Sequence, residues 1–408
     1  MAQDTDAPVK PGWYLLGPAF VAAIAYVDPG NVAANVSAGA KFGFLLVWVI
    51  VGANIMAGLV QYLSAKLGLV TGRSLPETVG ANTRRPTRIA YWLQAEFVAM
   101  ATDLAEVVGG AIALKLMFGL PLLLGGVITG AVSMALLAIG DRRGPRMFEQ
   151  VSSGLLAIIA IGFLASLVVK PPPVGQVAAG LLPRFDGTES VLLATAILGA
   201  TVMPHAVYLH SGLARDRHGQ PAAGVPRRRL LRITRWDVGL AMLVAGAVNL
   251  AMLVVAASNL RSRDTNGSIE GAHAAVRDSL GPTIALLFAI GLLASGLAST
   301  SVGAYAGAMI MQGLLRVSVP LLWRRLITLI PALVILATGL DPSRALVISQ
   351  VVLSFGIPFA LVPLIRLTSD RALMGADVNQ RLTTALGWIV TVVISLLNMV
   401  LIYLTVRG

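Results

Sequence analysis

An all-α membrane protein that crosses the bilayer many times is the fold class this sequence predicts, on three observations. Of its 408 residues 56% are apolar and only 12% charged, with a mean hydropathy of +0.81, whereas soluble domains carry about 25% charged residues. The apolar residues gather into runs of about 20, the length that spans a hydrocarbon core. Lys and Arg fall with a strong bias on alternate sides of those runs. A soluble multidomain protein and a disordered chain are both excluded. The net charge of +12 would suggest a polyanionic partner in a polar chain; here it marks topology, and no nucleic acid is expected. The absence of cysteine excludes disulfides, thiolate metal sites and a cysteine nucleophile.

The runs give eleven spans, at 14–38, 43–69, 88–114, 120–140, 147–169, 190–212, 236–258, 281–311, 321–340, 342–367 and 383–406. The start does not read as a signal peptide, because Asp4 and Asp6 precede Lys10 and no small-residue cleavage pattern follows. The polar, amphipathic stretch from Ser262 to Ser279 is expected to be a surface helix. With the N-terminus placed in the cytoplasm, 22 of the 31 Lys and Arg fall on that side and 9 on the other. That bias predicts a cytoplasmic N-terminus and, with an odd number of spans, an extracytoplasmic C-terminus. The run Arg227-Arg-Arg-Leu-Leu-Arg232 is then a topology anchor. The whole chain, 1–408, reads as one membrane domain.

Two spans are interrupted. The first reads Tyr26-Val-Asp28-Pro29-Gly30-Asn31 at its middle, and the sixth Ala200-Thr-Val-Met203-Pro204-His205. Proline removes a backbone donor and clashes with the preceding turn, so each helix is expected to unwind there. Freed carbonyls in hydrocarbon are costly unless they line a cavity or hold a ligand, and an unpaired Asp28 would cost several kcal/mol. The breaks lie five spans apart. That pattern predicts two inverted five-helix repeats, 14–169 and 190–367, each donating a broken first helix to a central site, with 383–406 as an extra helix. Asp28 offers a carboxylate there, Asn31 an amide oxygen, Ala25 and Ala200 carbonyls, and Met203 a thioether. Oxygen donors alone suit Mg²⁺ or Ca²⁺; the added soft donor favours transition-metal ions.

These residues resemble the signature motifs of the Nramp family: Asp28-Pro-Gly-Asn31 in span one, and Met203-Pro-His205 with Tyr208-Leu-His210-Ser in span six. Gly17-Pro18, Gln61-Tyr-Leu-Ser-Ala-Lys66, Thr102-Asp103-Leu-Ala-Glu106 and Ser349-Gln350 extend the resemblance over nearly the whole chain. It implies a LeuT-like fold and proton-coupled transport of divalent metal ions, with bacterial members importing mainly Mn²⁺, and also Fe²⁺, Cd²⁺, Co²⁺ and Zn²⁺. It implies that Asp28, Asn31 and Met203 bind the metal with the carbonyls of Ala25 and Ala200, and that Gln350 joins when the site occludes. Ala206 stands where the family usually has Asn and is expected to point away from the metal. No enzyme activity and no cofactor are expected; metal ions and protons are substrates, the lipid bilayer is the surrounding partner, and a monomer suffices.

Span three carries Glu96, Asp103 and Glu106 in an apolar run, the last two on one helix face. Arg324 and Arg325 open span nine and are available as partners. Buried carboxylate chains relay protons in transporters, and the resemblance assigns these acids and arginines to a proton pathway. The expected route passes from Asp28 to Asp103 and on toward Glu106. His205 and His210 lie about 140° apart around a regular helix and cannot share one metal. His205, next to the break, is expected to be a gating or proton-linked residue. His210 fits either a gate or a packed, hydrogen-bonded interior position. Arg217 is a candidate for the inner gate, while His218 and His273 are expected in solvated loops. A carrier of amino acids or similar organic solutes with the same architecture is the alternative, but Asp28 would repel a substrate carboxylate. A membrane metalloprotease lacks its His-Glu-x-x-His motif, and a passive channel does not need two broken helices.

Overall fold

The computed structural model describes residues 17–143, 145–169, 171–218, 226–260 and 268–407. Among them the chain is helical throughout, in seventeen α-helices: α1 (Pro18–Ile24), α2 (Pro29–Phe42), α3 (Val47–Thr71), α4 (Leu75–Asn82), α5 (Arg85–Phe118), α6 (Leu122–Arg143), α7 (Pro145–Val169) and α8 (Val174–Ala179). The second half holds α9 (Gly187–Thr201), α10 (Pro204–His218), α11 (Arg227–Asn259), α12 (Ile269–Leu280), α13 (Pro282–Leu315), α14 (Leu321–Ala337), α15 (Pro342–Thr368), α16 (Arg371–Met374) and α17 (Arg381–Arg407). Each predicted span coincides with a helix or with a pair of half-helices. Seven segments are long and apolar enough to cross a membrane: α3, α5, the joined α9–α10, α11, α13, α15 and α17. The remaining four expected spans are α1–α2, α6, α7 and α14, which are broken, shorter or partly outside the segments that meet that test.

Both predicted breaks are present. A 3₁₀ turn, Ala25–Val27, follows α1, and extended backbone at Asp28 separates it from α2. α9 ends at Thr201, and α10 restarts at Pro204. In each case proline occupies the first position of the second half-helix, where its missing N–H has no partner to lose and its fixed φ suits the helix. The two broken helices lie at the centre, with most of α1, the first eleven residues of α2, most of α9 beyond its first turn and the first turns of α10 buried.

The packing repeats with a shift of five spans. α2 packs on α11 as α10 packs on α3; α7 packs on α13 as α15 packs on α5; and α5 and α13 run along each other. Exchanging spans one to five with six to ten maps the first four pairs onto one another and the α5–α13 pair onto itself, which is what two five-helix repeats predict. Residues facing away from this centre, such as Trp236, Leu243, Ile327, Ile330, Ile389 and Val392, are exposed and apolar, as lipid requires.

Three details refine the sequence reading. α12 occupies the second part of the expected surface helix, while residues 261–267 lie outside the described set. His273 is not in a solvated loop but on α12, half-buried, its ring 6.3 Å from that of Phe288; burial, with Arg277 nearby, lowers its pKa. Lys66, Arg324 and Arg325, counted as loop charges, are buried, yet the basic asymmetry of the remaining loops stays above two to one.

Candidate metal centre

The first break positions Asp28 as the N-cap of α2. Its Oδ1 accepts from the Asn31 backbone N–H at 2.7 Å and from the Asn31 side-chain amide at 2.8 Å. The same Asn31 Nδ2 lies 2.9 Å from the carbonyl of Ala200 and 3.5 Å from that of Ala25. Three oxygens from two broken helices therefore converge on one small volume. Asp28 Oδ2 and Asn31 Oδ1 are buried there without a partner, although such atoms are normally satisfied. Met203 is fully buried at the second break. Gln350 on α15 lies against the first: a Cβ on Gly30 would overlap its side-chain amide, so only glycine permits this approach. Gln350 Nε2 donates to Ser349 Oγ at 3.1 Å, and its Oε1 has no partner. Behind it, a side chain at Gly199 would overlap the Gln350 carbonyl. Ala206 is also fully buried.

The other unwound carbonyls of the first break have neighbours. Asn249 Nδ2 donates to Tyr26 O at 2.7 Å while its Oδ1 accepts from Asn35, and Ser295 Oγ donates to Val27 O at 2.5 Å. Ala25 and Ala200 are thus the break carbonyls left aimed at the centre. Among the described residues no three His, Asp or Glu side chains converge, so a cation here meets one carboxylate and otherwise neutral donors.

The acid–arginine cluster lies on α5, α13 and α14. Arg325 Nη1 is 2.6 Å from Asp103 Oδ1 and 3.3 Å from Glu106 Oε2, while its other nitrogens donate to Ser133 at 3.3 Å and Thr300 at 3.2 Å. Ser299 donates to Glu106 Oε1 at 2.9 Å. Next to it on α14, Arg324 grips both oxygens of Glu96, at 2.9 and 3.0 Å. All five expected members are therefore paired with one another. Fully paired burial is the arrangement in which such charges are tolerated.

His205 joins this cluster to the second break. The Thr102 hydroxyl donates to Val98 O, so its oxygen accepts from His205 Nδ1–H at 3.4 Å, leaving the Nε2 lone pair buried and without a partner. His210 faces elsewhere: its Nδ1 donates to Gln61 Oε1 at 2.6 Å, and Gln61 donates to the Tyr26 hydroxyl. The structure thus gives His210 the packed, hydrogen-bonded position and ties α10 to the first break through α3. Arg217 interacts electrostatically with Asp237, whose carboxylate accepts from the backbone N–H groups of Gly17 and Ala19 at 3.1 and 3.0 Å and so caps α1.

Sequence reasoning missed Asp237, Asn249 and Ser295, each a polar residue in an apolar run that alone signals nothing. It also missed two ion pairs at the ends of the half-helices. Lys41 at the end of α2 pairs with Glu189 at the start of α9. At the other end Arg215 of α10 pairs with Glu77 of α4 at 2.5 Å. Burial raises the Glu77 pKa, but the Ser74 N–H and Arg215 outweigh it and hold the carboxyl below its ordinary value.

Fold and centre together define a multi-pass membrane carrier of the broken-helix, repeated-bundle class. The comparisons carry this further. The family described as "Natural resistance-associated macrophage protein-like" (Nramp) matches residues 19–404. The divalent metal cation transporter MntH of Mycobacterium tuberculosis is 71% identical over 408 residues, all of this chain and 95% of the relative. The solved manganese transporter of Eremococcus coleocola is 31% identical with a TM-score of 0.85, covering 96% of this chain and 87% of that one. MhsT, solved with L-phenylalanine, is 13% identical with a TM-score of 0.61 over 95% of this chain and 98% of that one, a likeness of fold alone. The chain belongs to the Nramp family, whose members found here are transporters and not enzymes.

Removing Asn249 or Ser295 strips a break carbonyl of its donor in a water-poor interior, at a cost of about 1–3 kcal/mol each. Asn249→Ala and Ser295→Ala should therefore lower the melting temperature in detergent. Asn249→Ala should lower it more, because it also removes the oxygen to which Asn35 donates, leaving only the Met252 sulfur at 3.9 Å; unchanged melting in both would refute this role.

Proposed function

We propose that the chain is a proton-coupled importer of divalent transition-metal ions, Mn²⁺ foremost, working by alternating access in the cell membrane. The observation that carries this reading is the convergence of Asp28 Oδ1, Ala25 O and Ala200 O on the Asn31 amide, with two orphaned oxygens beside it. A divalent cation taking the place of the amide hydrogens, with Asn31 turned to present Oδ1, gives every one of these oxygens a partner. Met203 adds the soft donor that sets transition metals apart from Ca²⁺ and Mg²⁺, and Gln350 Oε1 supplies a further oxygen from α15. Both the curated relative and the solved neighbour carry names that specify divalent metal or manganese transport.

Every proposed ligand is buried, with the Lys41–Glu189 pair beyond it at one end and the Tyr26–Gln61–His210 chain and Glu77–Arg215 pair at the other. A carrier must break these closures in turn, which requires the half-helices to move as two repeats, 14–169 and 190–367, around a fixed centre. We assign eleven spans, a cytoplasmic N-terminus and an extracytoplasmic C-terminus, in keeping with the basic bias. Pro29 and Pro204 keep the breaks open, and Gly30 admits Gln350.

In the proton route Asp28 loses its proton when the metal arrives. Asp103 takes it up beside Thr102 and His205 and releases it toward Glu106, with Arg325 stabilising whichever of the two acids is ionised. Glu96 and Arg324 extend the polar path along α5. Arg217, acting through Asp237 on the start of α1, belongs to the inner closure.

Metal uptake into proteoliposomes under a pH gradient tests the reading. Wild type should transport Mn²⁺ and Cd²⁺, and Asp28→Ala should abolish both. Met203→Ala should lose Cd²⁺ more than Mn²⁺, by about tenfold or more, and admit Ca²⁺ or Mg²⁺ better; loss of all metals equally would remove the thioether from the site. Asp103→Asn should keep metal binding but lose metal-driven acidification of the lumen, and full proton uptake in that variant would sink the route.

A further inference from the structure

A cavity of about 700 Å³ opens at the end of the molecule where α3, α4, α10 and α13 meet, away from the metal centre. Its wall includes three arginines from three separate elements: Arg73 after α3, Arg215 on α10 and Arg316 at the end of α13. Glu77 is the single carboxylate in the lining; Arg215 holds it and is itself also paired with Asp216, at 2.7 Å, so the charge left over in the wall is that of Arg73 and Arg316. Arg73 and Arg316 have no acidic partner among the described residues. Gln312 and Ser318 add neutral hydrogen-bonding groups. Arg316 is, among the described residues, the one non-glycine with positive φ, at 60°. It occupies a C-terminal cap position where glycine is the usual and unstrained residue, so its side chain comes with a backbone cost.

We propose that this cavity binds a phosphate-bearing anion, either the headgroup of an anionic phospholipid or a free phosphate. Arg73 and Arg316, uncompensated guanidinium groups on separate elements of one cavity wall, suit phosphate oxygens, which guanidinium recognises through paired, charge-assisted hydrogen bonds. The cavity lies on the side the basic bias assigns to the cytoplasm, where basic pockets between helices meet anionic headgroups. None of the metal or proton residues lines it.

The site has a mechanical consequence. Arg215 lies on α10, the half-helix that begins at the second break, and α10 is fastened to α4 by the Glu77 pair and by the Leu75 N–H donating to Ser211 Oγ at 2.8 Å. Gly313 of α13 sits so close to Pro76 and Glu77 that a side chain there would overlap them. An anion held by Arg73 and Arg316 therefore joins the chain after α3 to the end of α13, across the mouth that the Arg215–Glu77 pair closes, and holds this end shut.

The test uses the full chain in neutral detergent, with inorganic pyrophosphate titrated by calorimetry and phosphatidylglycerol retention followed by native mass spectrometry. Wild type should bind at least one of them saturably. The R73Q/R316Q double variant should weaken that binding by about tenfold or more, while R184Q/R407Q, which alters arginines outside the cavity, should not. Ser318→Glu, which puts a carboxylate in the lining, should give the same loss and covers the case in which the double variant fails to fold. Binding of pyrophosphate assigns a free anion, and retention of the lipid alone assigns a headgroup. No binding of either by wild type, or equal binding by wild type and both cavity variants, overturns the proposal. The readout does not involve metal, so it stands or falls apart from the transport reading.

Discussion

A helix interrupted inside a membrane must find partners for the carbonyls it frees, and the rest of this structure is arranged around that constraint. Water is not available to accept the cost, so each freed group needs a protein donor or a ligand. At the first break Tyr26 and Val27 are served by Asn249 and Ser295 from α11 and α13. Ala25 is left, together with Ala200 from the second break, facing the Asn31 amide. The break is thus divided between groups that fasten it to the scaffold and groups that present oxygen to a central point. A cation is the ligand that such leftover oxygens suit, and Asp28 supplies the charge to attract it.

The same economy governs the charges of α5. Asp103, Glu106 and Glu96 would each be prohibitive alone in hydrocarbon, but α14 delivers two adjacent arginines into their path, and Ser133, Ser299 and Thr300 add hydrogen bonds to Arg325 and Glu106. Arg325 touches two acids at once. His205, held by Thr102 next to Asp103, sits between this cluster and the second break, so the two sites share a neighbour.

Much of this was legible in the sequence because membrane folding leaves strong marks. Asp28-Pro29 and Met203-Pro204 announced the breaks, since proline beside polar residues in an apolar run has few structural excuses. The Asp103–Glu106 spacing placed both acids on one face, and Arg324–Arg325 at the start of span nine were available as partners. What the sequence could not show was partnership across distance. Nothing in the apolar runs around Asn249 or Asp237 says that one will cap a carbonyl of Tyr26 and the other the start of α1. His210 could be read two ways until Gln61 was seen to hold it. The Lys41–Glu189 and Glu77–Arg215 pairs looked like ordinary loop charges, because only the fold brings those half-helix ends together.

The central claim is that one cation is held between the two breaks. Anomalous diffraction from crystals soaked in Mn²⁺ and, separately, Cd²⁺ addresses it most directly. The account predicts a single strong peak within coordination distance of Asp28, Asn31, Met203 Sδ and the carbonyls of Ala25 and Ala200 for both ions. A peak elsewhere, or a peak at the breaks that never approaches the Met203 sulfur, would contradict it.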